Sequence, residues 1–195
     1  MYLRVFLIIS LLLLLFQFSS MHAQSNTIIL KADRVFDGMT MHAEWSISID
    51  GNRIVTIGPS SNIQDGAQSL VLDLGDVTLM PGMIEGHSHL LLHPYNEVGW
   101  NDQVLKESIP ERSIRAANHA LATLMAGVTT VRDLGAEGAG YADIGVKASI
   151  NKGVIPGPRM FVAGPAIVAT GSYGPKGFAD HVRVPLGAEE ADGVD

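Results

Sequence analysis

Two histidines one residue apart, in His87-Ser88-His89, offer the clearest chemistry in this chain. On an extended segment successive side chains alternate faces, so His87 and His89 project the same way and Ser88 the other. Their Cα positions are then ~6.6 Å apart along the strand. Two imidazoles so placed can converge on one metal ion, each through a nitrogen at ~2.0–2.1 Å. A divalent cation held there would acidify water for hydrolysis. Glu85, two residues earlier on the same face, is placed to hold the second nitrogen of a ligand imidazole. Taken alone the triplet is as readily incidental in a chain with seven His.

Other polar residues carry weaker signals. Arg132 and Asp133 end a strand-like stretch, where functional residues gather in α/β proteins, yet adjacent opposite charges read more simply as a structural pair. His93 sits beside Pro94 and reads as a solvated loop residue near the histidine pair. His119 lies off the apolar stripe of its segment and reads as a surface residue. Tyr173, in a glycine-rich loop, is within the range of substrate contacts, although turn chemistry alone explains its glycines. His42 and His181 have no partners at ligand spacing.

The elements that must position the pair follow from periodicity. Residues 27–30, 45–49, 53–57 and 70–74 are rich in β-branched or alternating residues and predict short strands, with Asp50-Gly51-Asn52 as a hairpin turn. After Pro81-Gly82 the rhythm becomes strand 83–90, helix 108–126, strand 128–133, helix 141–152 and strand 159–168, which argues for parallel α/β packing. The first helix has the firmest signals. Ser108-Ile109-Pro110-Glu111 is a capping box, Ile114, Ala117, Leu121 and Leu124 form one apolar stripe, and Gly127 ends it. Gly145 weakens the second helix. Residues 170–177 read as a Gly- and Pro-rich loop, and the tail has no strong pattern. Three strand–helix units cannot close a barrel and would leave raw sheet edges, so the expectation is that a barrel continues past Asp195 or that another chain covers the edge.

A hydrophobic content of 47% with 17% charged residues is that of a globular chain. The 13 Lys and Arg against 20 Asp and Glu give a formal charge of -7, a field that repels phosphate backbones and argues against nucleic acid as a partner. Residues 1–23 join Arg4 to an apolar run over 5–16 and a small residue, Ala23, which predicts a secretory signal peptide and a secreted or periplasmic protein with no other membrane attachment. The run falls short of the ~20 residues that span a bilayer. There is no Cys, which excludes a disulfide framework.

The stretch Met80-Pro81-Gly82-Met83-Ile84-Glu85-Gly86-His87-Ser88-His89 resembles the signature of the amidohydrolase superfamily: Pro-Gly, two hydrophobic residues, an acid, any residue, then His-x-His. Ala32-Asp33-Arg34-Val35-Phe36-Asp37-Gly38 and Ile54-Val55-Thr56-Ile57-Gly58 look like the small β-sandwich that members build from both ends of the chain. Ala126-Gly127-Val128-Thr129-Thr130-Val131-Arg132-Asp133-Leu134-Gly135 and Gly157-Pro158-Arg159-Met160 are similar to the imidazolonepropionase-like branch, which includes Xaa-Pro dipeptidases. The resemblance spans residues 27–177. It implies an α/β fold: the N-terminal portion of a (β/α)8 TIM barrel, its first three or so strand–helix units in 81–195, preceded by sandwich strands in 24–80. It also implies that His87 and His89 bind the more buried metal of a mono- or binuclear centre, usually zinc. The family's carboxylated Lys, two further His and catalytic Asp come from later strands that this sequence does not contain. Two departures stand out, Glu85 where Asp is usual and Thr170-Gly171-Ser172-Tyr173-Gly174 where relatives more often show Gly-Gly-His.

The resulting expectation is a metal-dependent hydrolase of carbon–nitrogen bonds. Its substrate would be a small molecule: an Xaa-Pro dipeptide, an N-acyl amino acid or a cyclic amide. A homo-oligomer is compatible with it, and the 195-residue chain alone is expected to be inactive. The alternatives are a non-catalytic scaffold on the same fold and a metal-binding β protein of cupin type, which would need further strands after Gly135.

Overall fold

The computed structural model describes residues 27–193. The expected signal segment, 1–23, lies outside the described residues. The chain divides into two compact units, Met1–Pro81 and Gly82–Asp195.

In the first unit, strands β1 (Thr27–Lys31), β4 (Trp45–Asp50), β5 (Arg53–Pro59) and β6 (Leu70–Asp73) form a four-stranded sheet in the order β5-β4-β1-β6. The hairpin between β4 and β5 closes at Asp50 opposite Arg53. Gly51 takes φ 58° there, the left-handed conformation that a two-residue hairpin turn requires. A second sheet joins β2 (Arg34–Phe36), β3 (Met41–Ala43) and β7 (Thr78–Leu79) in the order β3-β2-β7. Periodicity did not reveal these three strands, because two or three residues are too few to display an alternation. Ile29 and Val35 are fully buried, and so is Ser46, whose hydroxyl meets that of Ser60 at 2.7 Å.

The second unit is mixed α/β. Strands β8 (Met83–Ser88), β9 (Val128–Asp133) and β10 (Arg159–Val162) form a parallel sheet in the order β10-β9-β8. Helices α1 (Trp100–Lys106) and α2 (Ile109–Met125) connect β8 to β9, and α3 (Ala142–Asn151) connects β9 to β10. The helix after Gly135 removes the cupin-like alternative. The stretch expected as one strand over 159–168 is two: after β10 the chain bends at Gly164, φ 72°, and β11 (Ile167–Val168) pairs in parallel with β12 (Glu189–Glu190). Helix α1 carried no cap or stripe to announce it. Its buried Gln103 donates its amide to the carbonyls of Val98 and His93 and accepts the His93 amide, holding the turn into the helix.

Helix α2 begins as expected, with the Ser108 hydroxyl accepting the Glu111 amide at 3.3 Å, and ends at Gly127 with φ 88°. The buried face, however, is not the expected stripe. Arg112, Ala116 and Ala120 face the core, whereas Ile114 is 72% exposed and Leu121 is also exposed. Two effects outweigh the hydrophobic pattern. The alanines let the helix approach the sheet closely, and Arg112, 1% exposed, donates to the carbonyls of Leu91, Ala136 and Glu137 at 3.1, 3.2 and 2.8 Å. A buried guanidinium is tolerated when its donors are satisfied in this way. Around this helix Leu90, Leu91, Val131, Ala136, Ala139, Val146 and Met160 complete the core.

Candidate functional site

The parallel sheet brings its C-terminal strand ends to one side, where loops follow β8 and β9. Strand β8 stops at Ser88 rather than continuing to residue 90, because Leu90, Leu91 and Leu92 leave the sheet to bury in the core. His87 is therefore the penultimate residue of the strand, and His89 lies just past its end. Their rings stand 5.2 Å apart between centres, at 69°. The ladder to β9 is irregular between Glu85 and Ser88, where three steps on β8 match two on β9. Such a bulge re-aims side chains, and the Gly86 carbonyl within it accepts Arg132 Nε at 2.8 Å.

Glu85 does not reach an imidazole. Its Oε1 folds back to accept the His87 amide at 2.9 Å, a local bond that the bulge permits. His89 is held from the other strand: its Nδ1 donates to the Gly135 carbonyl at 3.0 Å. A carbonyl can only accept, so a ring hydrogen sits on Nδ1, and in the neutral ring the lone pair is then on Nε2.

Asp133 fixes the loops that make this possible. It is fully buried, and its two oxygens accept the amides of Leu90 at 3.0 Å and Gly135 at 3.3 Å. Burial pushes its carboxyl up to about 6, against the pull of those two amides. Arg132 and Asp133 are not a pair, since they leave opposite faces of β9 and bond to different partners.

A second carboxylate stands behind His89, and no sequence argument singled it out. Glu137 is 4% exposed and has φ 52°. Its Oε2 accepts Trp100 Nε1 at 2.8 Å and the Tyr173 hydroxyl at 2.7 Å, while its Oε1 lies 3.6 Å from His89 Nδ1. The usable signal was its place four residues beyond the end of β9, on the side where α/β proteins build sites. Tyr173 thus faces a carboxylate, and burial followed by Glu137 raises its phenol well above the usual range. Trp100 and Tyr173 meet edge to face with ring centres at 5.3 Å.

Neither His93 nor His119 is a free surface group. His93 lies between two carboxylates, with Nε2 3.1 Å from Glu107 and Nδ1 3.4 Å from Glu97. The His119 Nδ1 bonds to the Leu90 carbonyl at 2.9 Å, which draws the ring inward from the helix. With His89, Leu92, Tyr95 and Thr123 they line a cavity of about 390 Å³. His42, in the first unit, pairs with Asp37 at 2.9 Å and stacks on Trp45. His181 is exposed.

Two imidazoles sharing an ion at ~2.0–2.1 Å and a roughly tetrahedral angle have ring centres about 5 Å apart, so the spacing of His87 and His89 fits a common cation. Among the described residues no group of three His, Asp or Glu converges to hold a metal ion.

Residues 78–193 match the Amidohydrolase family. The chain belongs to that family. In three dimensions it is similar to a Xaa-Pro dipeptidase with methionine bound in its active site, at 29% identity and a TM-score of 0.63 over 76% of this chain and 36% of the other. It is also similar to a prolidase complexed with N-methylphosphonate-L-proline, at 26% identity and a TM-score of 0.69 over 86% of this chain and 41% of the other. The A. niger ochratoxinase shares the fold, at 22% identity and a TM-score of 0.64 over 87% of this chain and 42% of the other. The chain thus spans roughly two fifths of the length of these solved proteins. No curated protein sequence matches it.

Proposed function

We propose that the whole protein is a metal-dependent hydrolase of carbon–nitrogen bonds in small molecules, with His87 and His89 as its first two metal ligands. The observation that carries this reading is the pair itself. Two imidazoles stand 5.2 Å apart at the C-terminal end of β8, and one of them is already turned by Gly135 so that Nε2 is free to bind. A divalent cation, zinc in this reading, would supply Lewis acidity that lowers the pKa of water and polarises a carbonyl. The chain's own part is to present two neutral nitrogens, to lock one tautomer through Gly135, and to anchor both loops through Asp133.

On this reading β8, β9 and β10 are the first three strands of a TIM barrel, residues 24–80 belong to a small β-sandwich, and residues 1–23 direct the protein out of the cytoplasm. Similarity to a Xaa-Pro dipeptidase and a prolidase favours a dipeptide, with N-acyl amino acids and cyclic amides as neighbouring chemistry. The test is metal content and turnover of the full-length protein against a panel of Xaa-Pro dipeptides and N-acyl amino acids. Bound zinc and turnover, both lost in His87→Ala and His89→Ala, are the expected result. A full-length protein that binds no metal and hydrolyses nothing would make it a scaffold on the same fold.

A further inference from the structure

We infer that Glu137 is a positioning residue whose carboxylate, clamped by Trp100 and Tyr173, acts together with the Gly135 carbonyl to hold His89 in the one tautomer and ring orientation that leaves Nε2 free for a metal. The inference rests on the reading of His89 as a ligand.

Glu137 has φ 52°, and the next residue, Gly138, has φ 80°. A left-handed turn is served best by glycine, so what glutamate adds at this position is its side chain. A carboxylate this enclosed requires partners, and Trp100 Nε1 and the Tyr173 hydroxyl both donate to Oε2. Gly187 belongs to the same clamp, because a Cβ there would collide with the Trp100 ring.

Oε1 takes neither of those bonds and lies 3.6 Å from His89 Nδ1, beside the Gly135 carbonyl that accepts the Nδ1 hydrogen at 3.0 Å. One edge of the ring therefore meets two acceptors. Moving the hydrogen to Nε2 would set a lone pair against both, and would spend the nitrogen that a metal needs. Gly135 leaves room for this arrangement, since a Cβ there would come within 3.3 Å of Glu137 Oε1.

The test uses the full-length protein. Glu137→Gln keeps the shape and one oxygen for Trp100 and Tyr173, but turns an NH2 group toward the His89 N–H. In the metal-free protein, 15N NMR of the imidazoles should show His89 with its hydrogen on Nδ1 in wild type and a mixture of tautomers in the variant. Zinc affinity, read by chelator competition, should fall roughly 10–100-fold, the usual cost of losing a partner behind a ligand. An unchanged tautomer together with affinity within about twofold of wild type overturns the inference. If Glu137→Gln does not fold, the double variant Trp100→Phe with Tyr173→Phe frees the carboxylate, and the same two readouts apply. His87→Ala and His89→Ala test the metal site itself. If neither lowers zinc affinity, the histidine pair is not the metal site, while the tautomer in the metal-free protein still decides the role of Glu137.

Discussion

Asp133 reaches across the parallel sheet to Leu90, accepting its backbone amide at 3.0 Å from 43 positions away in sequence. Its other oxygen accepts the Gly135 amide. One side chain thus fixes the residue after His89 and the residue whose carbonyl binds His89. Asp133→Ala leaves two buried amides without acceptors, at about 1–3 kcal/mol each. Urea unfolding should show a lower midpoint at unchanged slope, and zinc binding should weaken as the loops loosen. An unaltered midpoint would remove Asp133 from this role.

Arg112→Met tests the polar core. The substitution keeps the volume and strips the donors from three carbonyls, those of Leu91, Ala136 and Glu137. A buried carbonyl left without its donor costs about 1–3 kcal/mol. Arg112→Lys should recover only part of that, because an ammonium lacks the planar fork. Equal stability of all three proteins would show that the alanine face alone seats the helix.

Asp37 supplies an acid-side dependence. The amide of Thr40, then His42, then the amide of Met39 hold its carboxyl down to about 2. A carboxylate depressed in the folded state contributes stability above its unfolded value near ~3.9, and that contribution is lost as pH falls through the folded value. Circular dichroism melts between pH 5 and pH 2 should therefore fall more steeply for wild type than for Asp37→Asn. Parallel curves would contradict the assignment.

The helix cap gives a smaller effect. Ser108→Ala should cost about 1 kcal/mol, and Ser108→Gly only a few tenths. Thermal unfolding of the three proteins orders them directly, and an alanine variant as stable as wild type would rule the cap out.

Features governed by local rules could be read before the fold was known. The hairpin at Gly51, the cap at Ser108, the stop at Gly127 and the nearness of His87 to His89 all depend on a few adjacent residues. What escaped depends on partners far along the chain. The buried face of α2 is set by Arg112 finding three carbonyls across a loop, which no count of apolar residues anticipates. His119 turns inward because Leu90 offers a carbonyl 29 positions away. Glu137 was not singled out, because what distinguishes it is contact with Trp100 and Tyr173, 37 and 36 positions distant. Glu85 was given the right neighbourhood and the wrong contact, because the bulge beside Gly86 cannot be seen in an alternation argument.

The two tryptophans of this chain fall one to each compact unit. Trp45 is stacked on His42 with ring centres 3.6 Å apart, and Trp100 is tied to the carboxylate behind His89. With either one changed to Phe, the emission of the other becomes a private reporter. Trp45 then follows the packing of the first unit, and Trp100 follows the surroundings of Glu137, with no external label attached.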